Sequence, residues 1–213
     1  ISRSSDTTGN WSANYSSRTV IYDTTPPESK STYPAQGFMV AINALPNIRG
    51  TMVDKVAADG THNGAVSRIR AKLMSLADNP PKYWNGDTGN WSNDSKLELD
   101  SDAGQIGFNV ALGTWAVLVN IPVAHQKLIV GNTYYLTTIA YDDVDDATKN
   151  QESWNVNAST FVFDSSAPVT AVVLPVHAAM RSTLSQITGT MADEPTLSQA
   201  GKVSAGIQGT EIT

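Results

Sequence analysis

Asp23-Thr24-Thr25-Pro26-Pro27 has a second copy, Asp164-Ser165-Ser166-Ala167-Pro168, about 140 residues further along the chain. The flanks match too. Thr19-Val20-Ile21-Tyr22 precedes the first copy and Thr160-Phe161-Val162-Phe163 the second. Leu45-Pro46-Asn47-Ile48-Arg49-Gly50-Thr51-Met52-Val53-Asp54 follows the first, and Leu184-Ser185-Gln186-Ile187-Thr188-Gly189-Thr190-Met191-Ala192-Asp193 the second. The match runs on through Gly64-Ala65-Val66-Ser67 and Gly201-Lys202-Val203-Ser204. Self-similarity at a fixed offset is the mark of a repeat architecture. The register predicts the end of one unit at residues 1–22, a complete unit at 23–163 and the start of a third at 164–213. The chain is expected to be part of a longer array.

Composition narrows the function. Charged residues make up 16% and the net charge is -6. Such a chain is a poor ligand for nucleic acid or anionic membranes, which select basic patches. No apolar run is long enough to span a bilayer, so no membrane insertion is expected of this segment. There is no cysteine, which excludes disulfide staples and leaves core packing or a metal to stabilise the fold. Asn-x-Ser triplets start at Asn10, Asn14, Asn90, Asn93 and Asn157, in a chain rich in both residues.

Short β-branched and aromatic runs bounded by turn residues recur throughout. Strands are predicted at 18–22, 38–42, 48–53, 105–110, 114–121 and 159–163. The run 65–76 fits a helix through Val66, Ile69, Leu73 and Leu76. Its place in the repeat, among strands, makes it a strand. Residues 78–102, with Tyr83-Trp84 and Asn90-Trp91, read as a decorated loop or two short edge strands. Leu128 to Asp142 has the form of a tyrosine corner around Tyr134. Some seven to nine strands without a helix predict an all-β, antiparallel two-sheet sandwich. Its core is expected to include Val66, Ile69, Trp115, Tyr134, Leu136 and Ala140.

Three motifs, Asp23 to Pro27, Ile48 to Asp54 and the Leu-x-x-Gly-x-x-Tyr-x-Leu-x-x-x-Ala-x-Asp run from Leu128 to Asp142, resemble bacterial immunoglobulin-like tandem repeats. The resemblance covers the complete unit and both partial ones. It departs from a minimal immunoglobulin domain in the long middle, 78–102, and in lacking the cysteine pair. It implies a non-catalytic, extracellular, cell-surface array of the kind that builds adhesin stalks or filaments in large secreted multidomain proteins. The implied partners are neighbouring repeats and a cell-surface glycan or protein. Two alternatives stay open: a carbohydrate-binding β-sandwich module, and an accessory region of a large secreted hydrolase.

The residues offer little catalytic chemistry. His62, His125 and His177 are scattered through loops, with no Ser-His-Asp order, Cys-His pair or HExxH motif. No P-loop or GxGxxG motif is present. In a sandwich of this topology, Asp23, Asp54, Asp59, Asp142 and Asp143, with Asp145 and Asp146 beyond, converge on the end where the chain enters the complete unit. Calcium takes about six to eight hard oxygen ligands, so these acids are candidate calcium ligands across the joint, although turns favour aspartate without any metal. Trp84 and Trp91, beside amides in a polar stretch, are candidate glycan contacts, or else caps on the core edge.

Overall fold

The computed structural model describes residues 2–13, 17, 23–35, 37–54, 65–122, 127–143, 150–178, 180 and 182–193. The expected strand at 18–22 lies outside them, as do Asp59, His62, His125, Asp145 and Asp146. Among the described residues there are thirteen strands and no helix. In chain order they are β1 (Glu28–Tyr33), β2 (Gly37–Ile42), β3 (Arg49–Val53), β4 (Val66–Ser75), β5 (Lys82–Asn85), β6 (Asn90–Ser92), β7 (Leu99–Asp100), β8 (Ile106–Asn109), β9 (Thr114–Val117), β10 (Thr133–Asp142), β11 (Ser159–Phe163), β12 (Val169–Leu174) and β13 (Thr188–Ala192).

The first eleven strands build two sheets. One has the order β1-β3-β9-β8; the other runs β2-β11-β10-β4-β5-β6, with β7 alongside β4. Pairing is antiparallel except between β2 and β11, which run parallel from Ser159↔Gly37 to Phe163↔Ile42. Met52, Ile106 and Trp115 of the first sheet join Leu73, Leu136 and Phe161 of the second in a single buried cluster, the arrangement of a β-sandwich. All six residues expected in the core are buried.

Period-2 alternation explains which faces meet. On β4, Ile69, Ala71, Leu73 and Ser75 are buried, while Arg68, Arg70 and Lys72 alternate with them and are half exposed. The helix-like spacing of Val66 and Ile69 comes from a bulge. Arg68 pairs with Tyr141 and Val66 with Asp142, so Ser67 is the extra residue that returns Val66 to the core face.

Three regions differ from expectation. The strand expected at 114–121 stops at Val117. The 78–102 insertion holds three short strands rather than two. β1 was not expected: its inward residues, Ser29 and Ser31, are buried although polar.

β12 and β13 form a separate antiparallel pair. Its register repeats that of β1 and β3. Glu28↔Val53 through Ser31↔Gly50 is followed by a bulge and then Tyr33↔Arg49. Val169↔Ala192 through Val172↔Gly189 is followed by a bulge at the same step and then Leu174↔Thr188. Burial differs between the two: Met52 is 4% exposed and its counterpart Met191 56%.

Candidate functional site

The leading end of the sandwich gathers four of the five expected acids. Asp54 follows β3 and shares a cavity of about 370 Å³ with Ala65 and Val66 at the start of β4. Asp143 Oδ1 accepts a hydrogen bond from the Ala65 N–H at 2.9 Å. Asn150 Nδ2 donates to the Asp23 carbonyl at 2.9 Å, and the Asp142 N–H donates to the Asn150 carbonyl at 3.1 Å. The carboxylates are nevertheless in different environments. Asp23 Oδ1 accepts the Thr25 N–H at 2.8 Å, while its Oδ2 is buried without a hydrogen-bond partner among the described residues. Asp142 has no exposed surface. It follows Tyr134, Leu136, Thr138 and Ala140 at alternate positions of β10, so strand parity turns it toward the core instead of into a solvated loop. Among the described residues no three acids or imidazoles draw close enough together to hold a metal ion.

Glu152 lies just inside this end and is buried. Its Oε2 accepts from the Ser29 N–H at 2.9 Å and the Ser29 hydroxyl at 2.6 Å, and from the Ala140 N–H at 3.3 Å. Its Oε1 accepts from Asn157 Nδ2 at 2.6 Å. Burial pushes the carboxyl above its ordinary value of 4.5, against the opposing pull of these donors. The group ties β1 of one sheet to β10 of the other. Asn157, one of the Asn-x-Ser residues, is buried in this network.

The tryptophans of the insertion belong to an aromatic run through the core. Trp84 meets Trp91 edge-on at 5.1 Å, Trp91 stacks on Tyr134 at 5.5 Å, and Tyr134 on Phe161 at 5.4 Å. Trp84 is 2% exposed and gives its indole N–H to the Asn120 carbonyl at 2.8 Å. Its face is therefore not a surface on which a sugar can stack. Trp91 is half-buried and donates to the Lys127 carbonyl at 2.8 Å. Tyr134 Oη accepts the Ile129 N–H at 2.9 Å, which is the expected tyrosine corner.

Outside the core, β4 carries an ion-pair ladder. Arg68 chelates Asp100 and approaches Asp102, and Arg70 and Lys72 both meet Glu98. These pairs clip the insertion and β7 against the sheet. Burial opposes the ionised form of Asp100, but hydrogen bonds from Arg68 and the Asp102 N–H outweigh it and hold its carboxyl below the ordinary 3.8.

Sequence reading missed a cleft of about 850 Å³ between the β5–β6 turn, residues 86–90, and the segment 118–121 after β9, with Lys127 at its side. No sequence pattern marks it, because its two walls, 86–90 and 118–121, are 28 or more residues apart in the chain.

Comparisons with protein-family models, curated proteins and solved structures found no match.

Proposed function

We propose that this chain is a non-catalytic structural segment of an extracellular tandem immunoglobulin-like array, an adhesin stalk or surface filament whose partners include its own neighbouring repeats. The observation that carries the reading is the shared register of the β1–β3 and β12–β13 pairs, with the bulge at the same step. Two segments about 140 residues apart that pair alike, with matching sequences, are what a repeated domain produces. The strand orders support the immunoglobulin-like part. They group the strands as ABED against A′GFCC′C″ when β1 is A, β2 is A′, β3 is B, β4, β5 and β6 are C, C′ and C″, β8 is D, β9 is E and β10 and β11 are F and G.

The parallel β2–β11 pair suits a load-bearing role. It joins a strand near the start of the unit to its last strand, so tension on the two chain ends shears several hydrogen bonds at once. A calcium ion at the joint would need ligands beyond Asp23, Asp54 and Asp143, such as backbone carbonyls or groups of a neighbouring repeat, and would then stiffen it further.

Single-molecule pulling on the chain tests this. Residues 23–163 should unfold in one discrete event that releases roughly 500 Å of chain, at up to about 3.6 Å per residue. Gradual extension without such an event would refute the stalk reading. Antibodies against 23–163 that fail to label intact cells would refute the surface location.

A further inference from the structure

We infer that the cleft beside the β5–β6 turn is a binding site for a neutral oligosaccharide, a function independent of the array reading. Its chemistry is divided in the way a sugar ring is. Val119, Ile121 and the edge of Trp84 supply an apolar floor, while Asp87, Asn90, Asn120 and Lys127 supply a polar rim. Pyranose rings carry apolar C–H faces and hydroxyl edges, and pockets that bind small molecules pair an apolar lining with a few placed polar groups. One carboxylate and one ammonium on the rim cancel in charge, which disfavours strongly acidic or basic ligands.

The rim is held before any ligand arrives. Lys127 Nζ donates to Asn90 Oδ1 at 2.6 Å, Gln105 Nε2 to Asp87 Oδ1 at 2.5 Å, and Asn120 Nδ2 to the Gly86 carbonyl at 3.3 Å. The Trp84 indole fixes the Asn120 backbone from below. The turn itself depends on glycine. Gly89 adopts a φ of +64°, and a Cβ on Gly86 would overlap Leu99 and lie 2.9 Å from Val119 Cγ2. These bonds leave hydrogen-bonding capacity on the Asp87 carboxylate, the Asn120 side-chain Oδ1, the Thr88 hydroxyl and the Lys127 ammonium. Groups fixed in place lose less freedom on binding, which favours affinity.

The location also separates this site from the face of Trp84 or Trp91. A ligand here touches only the edge of the Trp84 ring, so binding must be read from the rim residues.

The test is nuclear magnetic resonance titration of the whole chain with cellohexaose, maltohexaose and chitohexaose, with hexagalacturonate and a mixed decapeptide as comparators. At least one neutral hexasaccharide should give saturable shifts of the Asn90 and Asn120 side-chain signals. Asp87→Ala and Asn120→Ala should each weaken that binding at least about tenfold. Both sites lie on the rim, and an unchanged amide spectrum will show that each variant folds. The inference is overturned if no neutral hexasaccharide moves those signals at millimolar concentration, if both variants bind as well as the parent, or if only the acidic sugar or the peptide binds. Any of these would leave the array reading standing, because pulling experiments do not depend on the cleft.

Discussion

Ser29 donates both its backbone N–H and its hydroxyl to the same carboxylate oxygen of Glu152, at 2.9 and 2.6 Å, although the two residues are 123 positions apart. This buried pair joins the two sheets. Because burial raises the Glu152 carboxyl above 4.5, the native state holds the proton more tightly than the unfolded chain does. The stabilisation is therefore complete below the unfolded value and is lost as pH rises through the raised native value. Melting temperature should fall across that window, and Glu152→Gln should flatten the slope. Glu152→Ala should cost about 1–3 kcal/mol at pH below the unfolded value and less as pH rises, because it leaves the Ser29 N–H buried and unanswered while the hydroxyl keeps Thr138. Thermal melts of the three proteins across a pH series will check this.

Trp84→Ala should destabilise the domain by about 3–5 kcal/mol, as removal of a fully buried aromatic does. The ring contacts Trp91 at 5.1 Å and its N–H anchors Asn120, so a cavity and an orphaned carbonyl arise together. Urea denaturation followed by fluorescence measures the effect. A loss below about 1 kcal/mol would mean that the ring is not core.

The sandwich was legible where side chains alternate between apolar and polar. On β10, Tyr134, Leu136 and Ala140 report the inward face directly. On β4 the alternation is broken at Ser67, whose bulge makes Val66 and Ile69 look like neighbours on a helix. Position in the repeat, not periodicity, identified that strand. β1 stayed hidden because its core-facing residues are serines. Their hydroxyls are answered by Glu152 and the Pro34 carbonyl, partners that no local pattern reveals. Topology predicts acids toward one end of the sandwich, but no three of the described acids or imidazoles draw together there, and the inward turn of Asp142 depends on strand parity through residue 142. The polar surroundings of Trp84 and Trp91 in sequence left a glycan face and a core cap both open; Trp84 packs on Trp91, and Trp91 on Tyr134. The cleft was invisible because its walls meet only after the insertion folds back on β9.

Gly50 and Gly189 hold matching places in the two equivalent pairs, and their substitution should separate a packed unit from an uncovered one. A Cβ on Gly50 would overlap the Lys30 carbonyl oxygen and the Trp115 ring, both fixed in the sandwich. Gly50→Ala should therefore cost about 3 kcal/mol or more, since backbone and core must shift together. A Cβ on Gly189 would lie 2.6 Å from the Ala171 carbonyl oxygen, but Met191, Val169 and Val172 around it are exposed. Gly189→Ala should leave the main unfolding transition unchanged. Equal effects on that transition would mean that β12–β13 folds as part of the first sandwich.

The acids at the leading end decide whether the joint is governed by a metal or by solvent. Asp23 and Asp54 are partly buried and Asp143 is exposed, and a buried Asp23 oxygen lacks a hydrogen-bond partner among the described residues. Carboxylates brought to one end of a domain repel one another, and a divalent cation would relieve that repulsion. A cation that binds only the folded state raises stability with its concentration, by about 2.7 kcal/mol at 100 times its dissociation constant. Calcium should then raise the melting temperature at fixed pH and a chelator should reverse the gain. Asp23→Asn and Asp54→Asn should each remove part of the response, while Asp87→Asn, far from this end, should not. Magnesium should substitute poorly, because it demands a tighter octahedral shell and sheds its waters reluctantly. A melting temperature indifferent to both calcium and chelator would make these residues turn formers, and the stiffness of the joint would then rest on Pro26 and Pro27, whose rings restrict the backbone directly.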